Sequence, residues 1–92
     1  MDTIWKYPLE VTDEQTIQLR KGAVPLYVEF DGNKQLCLWC QVDDNARKEN
    51  QTIFIIGTGN PMPDNECEYI GSVKDEFTNP LTTFIWHVFI KI

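Results

Sequence analysis

The sequence predicts an all-β chain, a small sandwich or partly open barrel of about six to seven mostly antiparallel strands. Three observations carry that expectation. Apolar and polar residues alternate with a period of two along most of the chain, turn chemistry interrupts the alternation about every eight to twelve positions, and helical periodicity is scarce. A chain of 92 residues has room for one core, so a single domain over 1–92 is expected. Its 42% hydrophobic residues are enough to fill that core without a cofactor.

The first strand is expected from Thr3 to about Val11, with Trp5, Tyr7, Leu9 and Val11 on one face. Pro8 lacks an amide hydrogen, which places this strand at a sheet edge. Thr12 to Gln15 has capping-box spacing, but Gln15 to Leu19 alternates as a short strand does, so a turn followed by a strand is expected. Arg20-Lys21-Gly22 ends it. Val24 to Phe30 resumes the alternation, Asp31-Gly32-Asn33 supplies positive-φ turn residues, and Lys34 to Val42 returns as the second arm of a hairpin. That arm sets Leu36, Leu38, Cys40 and Val42 on one side and Cys37, Trp39 and Gln41 on the other.

Residues 43–51 read as a polar, exposed, mobile loop. Thr52 to Thr58 follows as a central strand, because Ile53, Phe54, Ile55 and Ile56 are apolar without alternation and need cover on both faces. Two glycines and two prolines between Gly57 and Asn65 make a structured loop. Cys67 to Val73 is the next strand, with Gly71 as a bulge. Thr82 to Ile92 is the last, and it is too apolar for an exposed edge. It belongs either in the middle of a sheet or at a subunit interface, and a homo-oligomer is expected on the second ground.

Several kinds of chemistry are disfavoured. Cys37 and Cys40 have CxxC spacing, but residues three apart on a strand face opposite ways and cannot share a metal, so both read as buried structural thiols. Histidine and cysteine are too few for a zinc-type site, and no metal is expected. The single serine and single histidine, Ser72 and His87, lie on strands that can be neighbours, yet nothing around Ser72 resembles a nucleophile elbow. His87 reads first as a hydrogen-bonded structural residue. No catalytic residue is assigned and no enzyme is expected.

A formal charge of −6 argues against binding duplex nucleic acid, which needs a basic patch. Asp64, Glu66, Glu68, Asp75 and Glu76 outweigh Lys74 between residues 61 and 80 and suggest an acidic surface, either a solvated face or a mimic of nucleic acid. No apolar run approaches the roughly 20 residues that span a bilayer. The N-terminus has no signal-peptide pattern, which points to a cytoplasmic location. Gly57-Thr58-Gly59-Asn60 follows an apolar strand. It reads first as a tight turn, and second as a backbone-amide pocket for a small anion.

Taken together, Ile4-Trp5-Lys6-Tyr7, Thr12 to Ile17, Lys21-Gly22-Ala23, Cys37-Leu38-Trp39, Gly57 to Pro61, Tyr69-Ile70-Gly71 and Trp86 to Phe89 resemble a family of small bacteriophage and prophage proteins without assigned catalytic residues. The resemblance covers nearly the whole chain. The sequence differs in having Asn60 where related sequences often carry histidine, and in a longer stretch from Lys74 to Thr83. The resemblance implies a phage accessory protein acting in the host cytoplasm, with counter-defence as its role.

One form of that role is stoichiometric inhibition of a host defence protein, such as a CRISPR effector, through the acidic surface or an apolar edge. Another is sequestration of a nucleotide immune signal, with Gly57, Thr58, Gly59 and Asn60 as the loop, His87 beside it, and Trp39, Tyr69 or Trp86 stacking the base. A third is a structural or assembly role in the phage particle. A concave pocket with donors favours the nucleotide, and a flat patch with a few anchor residues favours the protein.

Overall fold

The alternating segments form seven strands: β1 Asp2–Pro8, β2 Glu14–Arg20, β3 Val24–Phe30, β4 Leu36–Asp43, β5 Lys48–Gly57, β6 Cys67–Asp75 and β7 Phe84–Lys91. The computed structural model describes residues 1–92 and contains no helix. β1, β4 and β3 make one sheet in that order, and β2, β5, β7 and β6 make the other. Every pairing is antiparallel. The two sheets form a small sandwich with a shared interior of Leu9, Leu19, Val28, Leu36, Leu38, Cys40, Val42, Ile53, Ile55, Val73 and Val88. Each such Leu, Ile or Val contributes roughly 1.5–3 kcal/mol by leaving water.

Turn chemistry sets the connections. Between β2 and β3 the Ala23 amide donates to the Arg20 carbonyl at 3.0 Å, and Gly22 takes the positive φ of 79° that this type of turn requires. The β3–β4 hairpin is where it was expected, but its left-handed residue is Lys34, at φ 62°, rather than Gly32 or Asn33. The Asp31 carboxylate decides this by accepting the amides of Asn33 at 2.8 Å and Gln35 at 3.1 Å. A side chain that holds the turn from its first residue relieves Gly32 of that task.

The expected polar loop over 43–51 is shorter than the sequence suggested. Only 44–47 turn, and Lys48 to Gln51 are already strand, paired with β2. Their polarity reflects position, because this half of β5 pairs with β2 alone, whereas Ile53 and Phe54 pair with both β2 and β7 and Ile55 to Gly57 with β7. Ile53, Phe54, Ile55 and Ile56 are all buried, as expected for a central strand. Ile53 and Ile55 face the interior. Phe54 and Ile56 point outward into a depression shared with Pro61 and Pro63 of the following loop.

β7 is interior to its sheet, between β5 and β6. Its apolar character is satisfied within one chain, so it no longer requires a subunit interface. β1 is an edge strand, as Pro8 implied. β6, the far edge of the larger sheet, lies against β3. Its register slips between Tyr69 and Gly71, and Gly71 lets the sheets close there, since a Cβ on it would stand 2.9 Å from Val28 Cγ1.

Candidate functional site

At the end of β5, Gly57 to Asn60 form a tight turn in which the Asn60 amide donates to the Gly57 carbonyl at 3.0 Å. Gly59 supplies the positive φ, 92°. Gly57 has a different reason to be glycine. A Cβ there would meet the Trp86 ring at 3.0 Å and Asn60 Nδ2 at 3.1 Å, so the bare backbone lets the indole lie flush against the turn. Gly57, Thr58, Asn60 and Trp86 share an open depression of about 420 Å³ with Thr83, Phe84 and Ile85.

From this turn a line of hydrogen bonds crosses the outer face of the larger sheet. Thr58 Oγ1 lies 3.0 Å from His87 Nε2, His87 Nδ1 lies 2.8 Å from Ser72 Oγ, and Ser72 Oγ lies 2.7 Å from the Tyr69 hydroxyl. Ser72 and His87 are register partners on β6 and β7, so the sheet itself brings them together. Both imidazole nitrogens are engaged by hydroxyls, Ser72 at Nδ1, the nitrogen that an acid holds in a Ser-His-acid triad, and Thr58 at Nε2. Tyr69 also packs on Phe89, with ring centroids 5.5 Å apart. The arrangement orders four polar side chains in a row and leaves Tyr69 more than half exposed.

Gly57, Thr58, Gly59 and Asn60 thus form the turn, His87 and Tyr69 lie with Thr58 on the outer face of the larger sheet, and Trp86 packs on the interior side against Gly57 and the core. Trp39 does not join them. It lies on the outer face of the smaller sheet, where Tyr27 packs on it at 5.5 Å and the Lys6 ammonium stands 6.0 Å from its ring. The aromatics expected at one pocket are therefore divided, because β4 and β7 belong to different sheets.

The acidic surface also needs correction. Asp64, Glu66, Glu68 and Glu76 are exposed, but Asp75 is fully buried. Its carboxylate accepts the Trp86 indole N–H at 2.8 Å, the amides of Phe77 at 2.8 Å and Thr78 at 3.0 Å, and the Thr78 hydroxyl. Burial by itself would raise its pKa, yet the bonds from Thr78, Trp86 and the two amides prevail and bring it down to about 2. Glu76 pairs with Lys74 at 3.0 Å, at the opposite end of β6 from Glu66 and Glu68. The acids do not form one patch.

A second surface is legible only in three dimensions. On the outer face of the smaller sheet, Ile4, Gln41 and Val24 form one cross-strand row, and Lys6, Trp39 and Tyr27 the next. Leu26, at the register shift between Pro25 and Tyr27, lies beside them. Ile4, Val24, Leu26 and Tyr27 are each about half exposed around Trp39. Strict alternation puts Val24 and Leu26 on the side of Val28, and the register shift between Pro25 and Tyr27 is what brings Val24 into the row of Ile4 and Gln41. Only the order β1-β4-β3 makes them adjacent.

A family model described as a domain of unknown function (DUF7352) matches residues 1–92. The chain belongs to that family. No curated protein and no solved structure matches it. For this DUF7352 chain the geometry therefore has to carry the functional reading.

Proposed function

We propose that this chain is a phage-borne binding module that inhibits a host defence protein, such as a CRISPR effector, by occupying it stoichiometrically. The observation that carries this reading is the outer face of the smaller sheet, where four half-exposed apolar residues surround Trp39. Contiguous exposed apolar surface of this kind marks protein contacts, and Tyr and Trp are the residues that most often anchor them. Asp2, Asp43 and Glu29 border the face, so it suits a partner whose contact is apolar at the centre and basic at the rim. The host context comes from the resemblance to phage proteins.

The second reading, sequestration of a nucleotide signal, draws support from the depression that Gly57, Thr58 and Asn60 share with Trp86. Against it, the depression there is open and no Lys or Arg lines it. Native mass spectrometry of the chain purified from its host distinguishes the two. The expected result is a stoichiometric complex with a host protein that is lost in Tyr27→Ala, while the variant keeps the wild-type circular dichroism. A bound mass of nucleotide size, released on denaturation and unaffected by Tyr27→Ala, would overturn the protein-inhibitor reading.

A further inference from the structure

The fold leaves the edge of β2 open, and that edge is complementary to itself. Of the four edge strands, β1 carries Pro8, β3 and β6 lie against each other across the seam of the sandwich, and β2 has neither protection. β2 contains no proline and its register with β5 is unbroken from Glu14 to Arg20. Exposed edges of this kind pair with other strands unless something blunts them.

The direction of its free backbone groups follows from two hydrogen bonds that flank the strand. The Ile55 amide donates to the Asp13 carbonyl at 3.2 Å, and the Lys21 amide to the Arg47 carbonyl at 2.8 Å. These continue the β2–β5 register, so odd-numbered residues of β2 exchange bonds with β5. Even-numbered residues then point their N–H and C=O groups out of the sheet. No turn, loop or side-chain bond reaches those of Glu14, Thr16 or Gln18, whereas the Arg20 carbonyl is already used by Ala23.

We propose that β2 pairs antiparallel with β2 of a second copy about a two-fold axis at Ile17, joining the two larger sheets into one of eight strands. Charge selects the register. Centred on Ile17, the pairing sets Glu14 opposite Arg20 and Asp13 opposite Lys21 of the other copy, and each pair occurs twice. Thr16 then faces Gln18, so outward-pointing backbone groups meet outward-pointing ones. A centre at Thr16 would instead place Glu14 opposite Gln18, and a centre at Gln18 would place it opposite Gly22, losing both charge pairs.

The four charges are available for this role. Ion pairs within the chain join the N-terminus to Asp43 and Asp44, Lys6 to Asp31, Arg47 to Glu49 and Lys74 to Glu76. Asp13, Glu14, Arg20 and Lys21 take part in none. Arg20 does give one N–H to the Ala46 carbonyl at 2.8 Å and lies 5.4 Å from the Trp5 ring, which leaves further guanidinium donors for a carboxylate. The contact is isologous and closes after two copies. It involves neither the smaller-sheet face nor the Gly57 turn, and it stands independently of the reading above.

Sedimentation equilibrium at low salt, over a range of protein concentrations, tests the pairing. The wild type is expected to show a monomer–dimer equilibrium. Thr16→Pro removes an outward amide without taking a bond from β5, so it is expected to be monomeric throughout with an unchanged circular dichroism spectrum. Asp13→Lys and Lys21→Asp each place like charges opposite one another twice, and each is expected to weaken the dimer about tenfold. The double variant D13K/K21D restores complementarity and should return the dimer to near wild-type strength. A wild type that stays monomeric at every concentration overturns the proposal, as does a double variant no stronger than the singles.

Discussion

Trp86 donates its indole N–H to the buried carboxylate of Asp75 at 2.8 Å, and this bond ties the start of β7 to the end of β6 across the loop between them. The same carboxylate gathers the Phe77 and Thr78 amides, so one residue organises the exit of β6 and holds the indole that lies against Gly57.

A pH dependence of stability follows. Asp75 has a folded-state pKa of about 2, below its ordinary 3.8, so the folded state binds the proton less readily than the unfolded state. The stabilisation is therefore complete above about pH 4 and is lost as pH falls toward 2. The difference corresponds to about 2 kcal/mol. Unfolding free energies from urea titrations at pH 6 and pH 2 should fall by that amount more in the wild type than in Asp75→Asn, and equal losses in the two proteins would show that Asp75 is not the group responsible.

Two glycines should resist replacement by alanine for steric rather than conformational reasons. Gly71→Ala places a Cβ 2.9 Å from Val28 Cγ1, within the seam where β6 meets β3. Gly57→Ala meets the ring of Trp86. Overpacking of this kind costs about 1–3 kcal/mol. Gly32→Ala, with nothing within 4 Å and no positive φ, is the control, and chemical denaturation should rank it close to the wild type.

Thiol reactivity should divide the cysteines. Burial pushes the Cys40 thiol up to about 11, and burial together with the nearby Asp31 carboxylate raises that of Cys37. Both remain protonated at pH 8 and lie out of reach of reagents. Cys67, half-buried at the start of β6, is the site that alkylates. Mass spectrometry after iodoacetamide treatment should find a single adduct on the native protein, at Cys67, and labelling of all the cysteines after unfolding. Early labelling of Cys40 would mean that the β4 interior opens.

The sequence by itself determined where most of the strands run and most of their faces. The period of two is a local property of the pleated backbone, and it was enough to place Leu36, Leu38, Cys40 and Val42 inside and to set Cys37 and Cys40 back to back, while its absence at Ile53 to Ile56 marked a strand covered on both faces. Apart from the β3–β4 hairpin, tertiary structure alone decided which strands are neighbours. Strand pairing is non-local, so nothing near Trp39 or Trp86 in the chain reveals that they stand on different sheets, and nothing near Ser72 reveals that it faces His87. The same limit explains Asp75. An acid among other acids reads as surface, because the donors that make its burial tolerable, Trp86 and the Phe77 and Thr78 amides, converge on it only once β6 and β7 have paired.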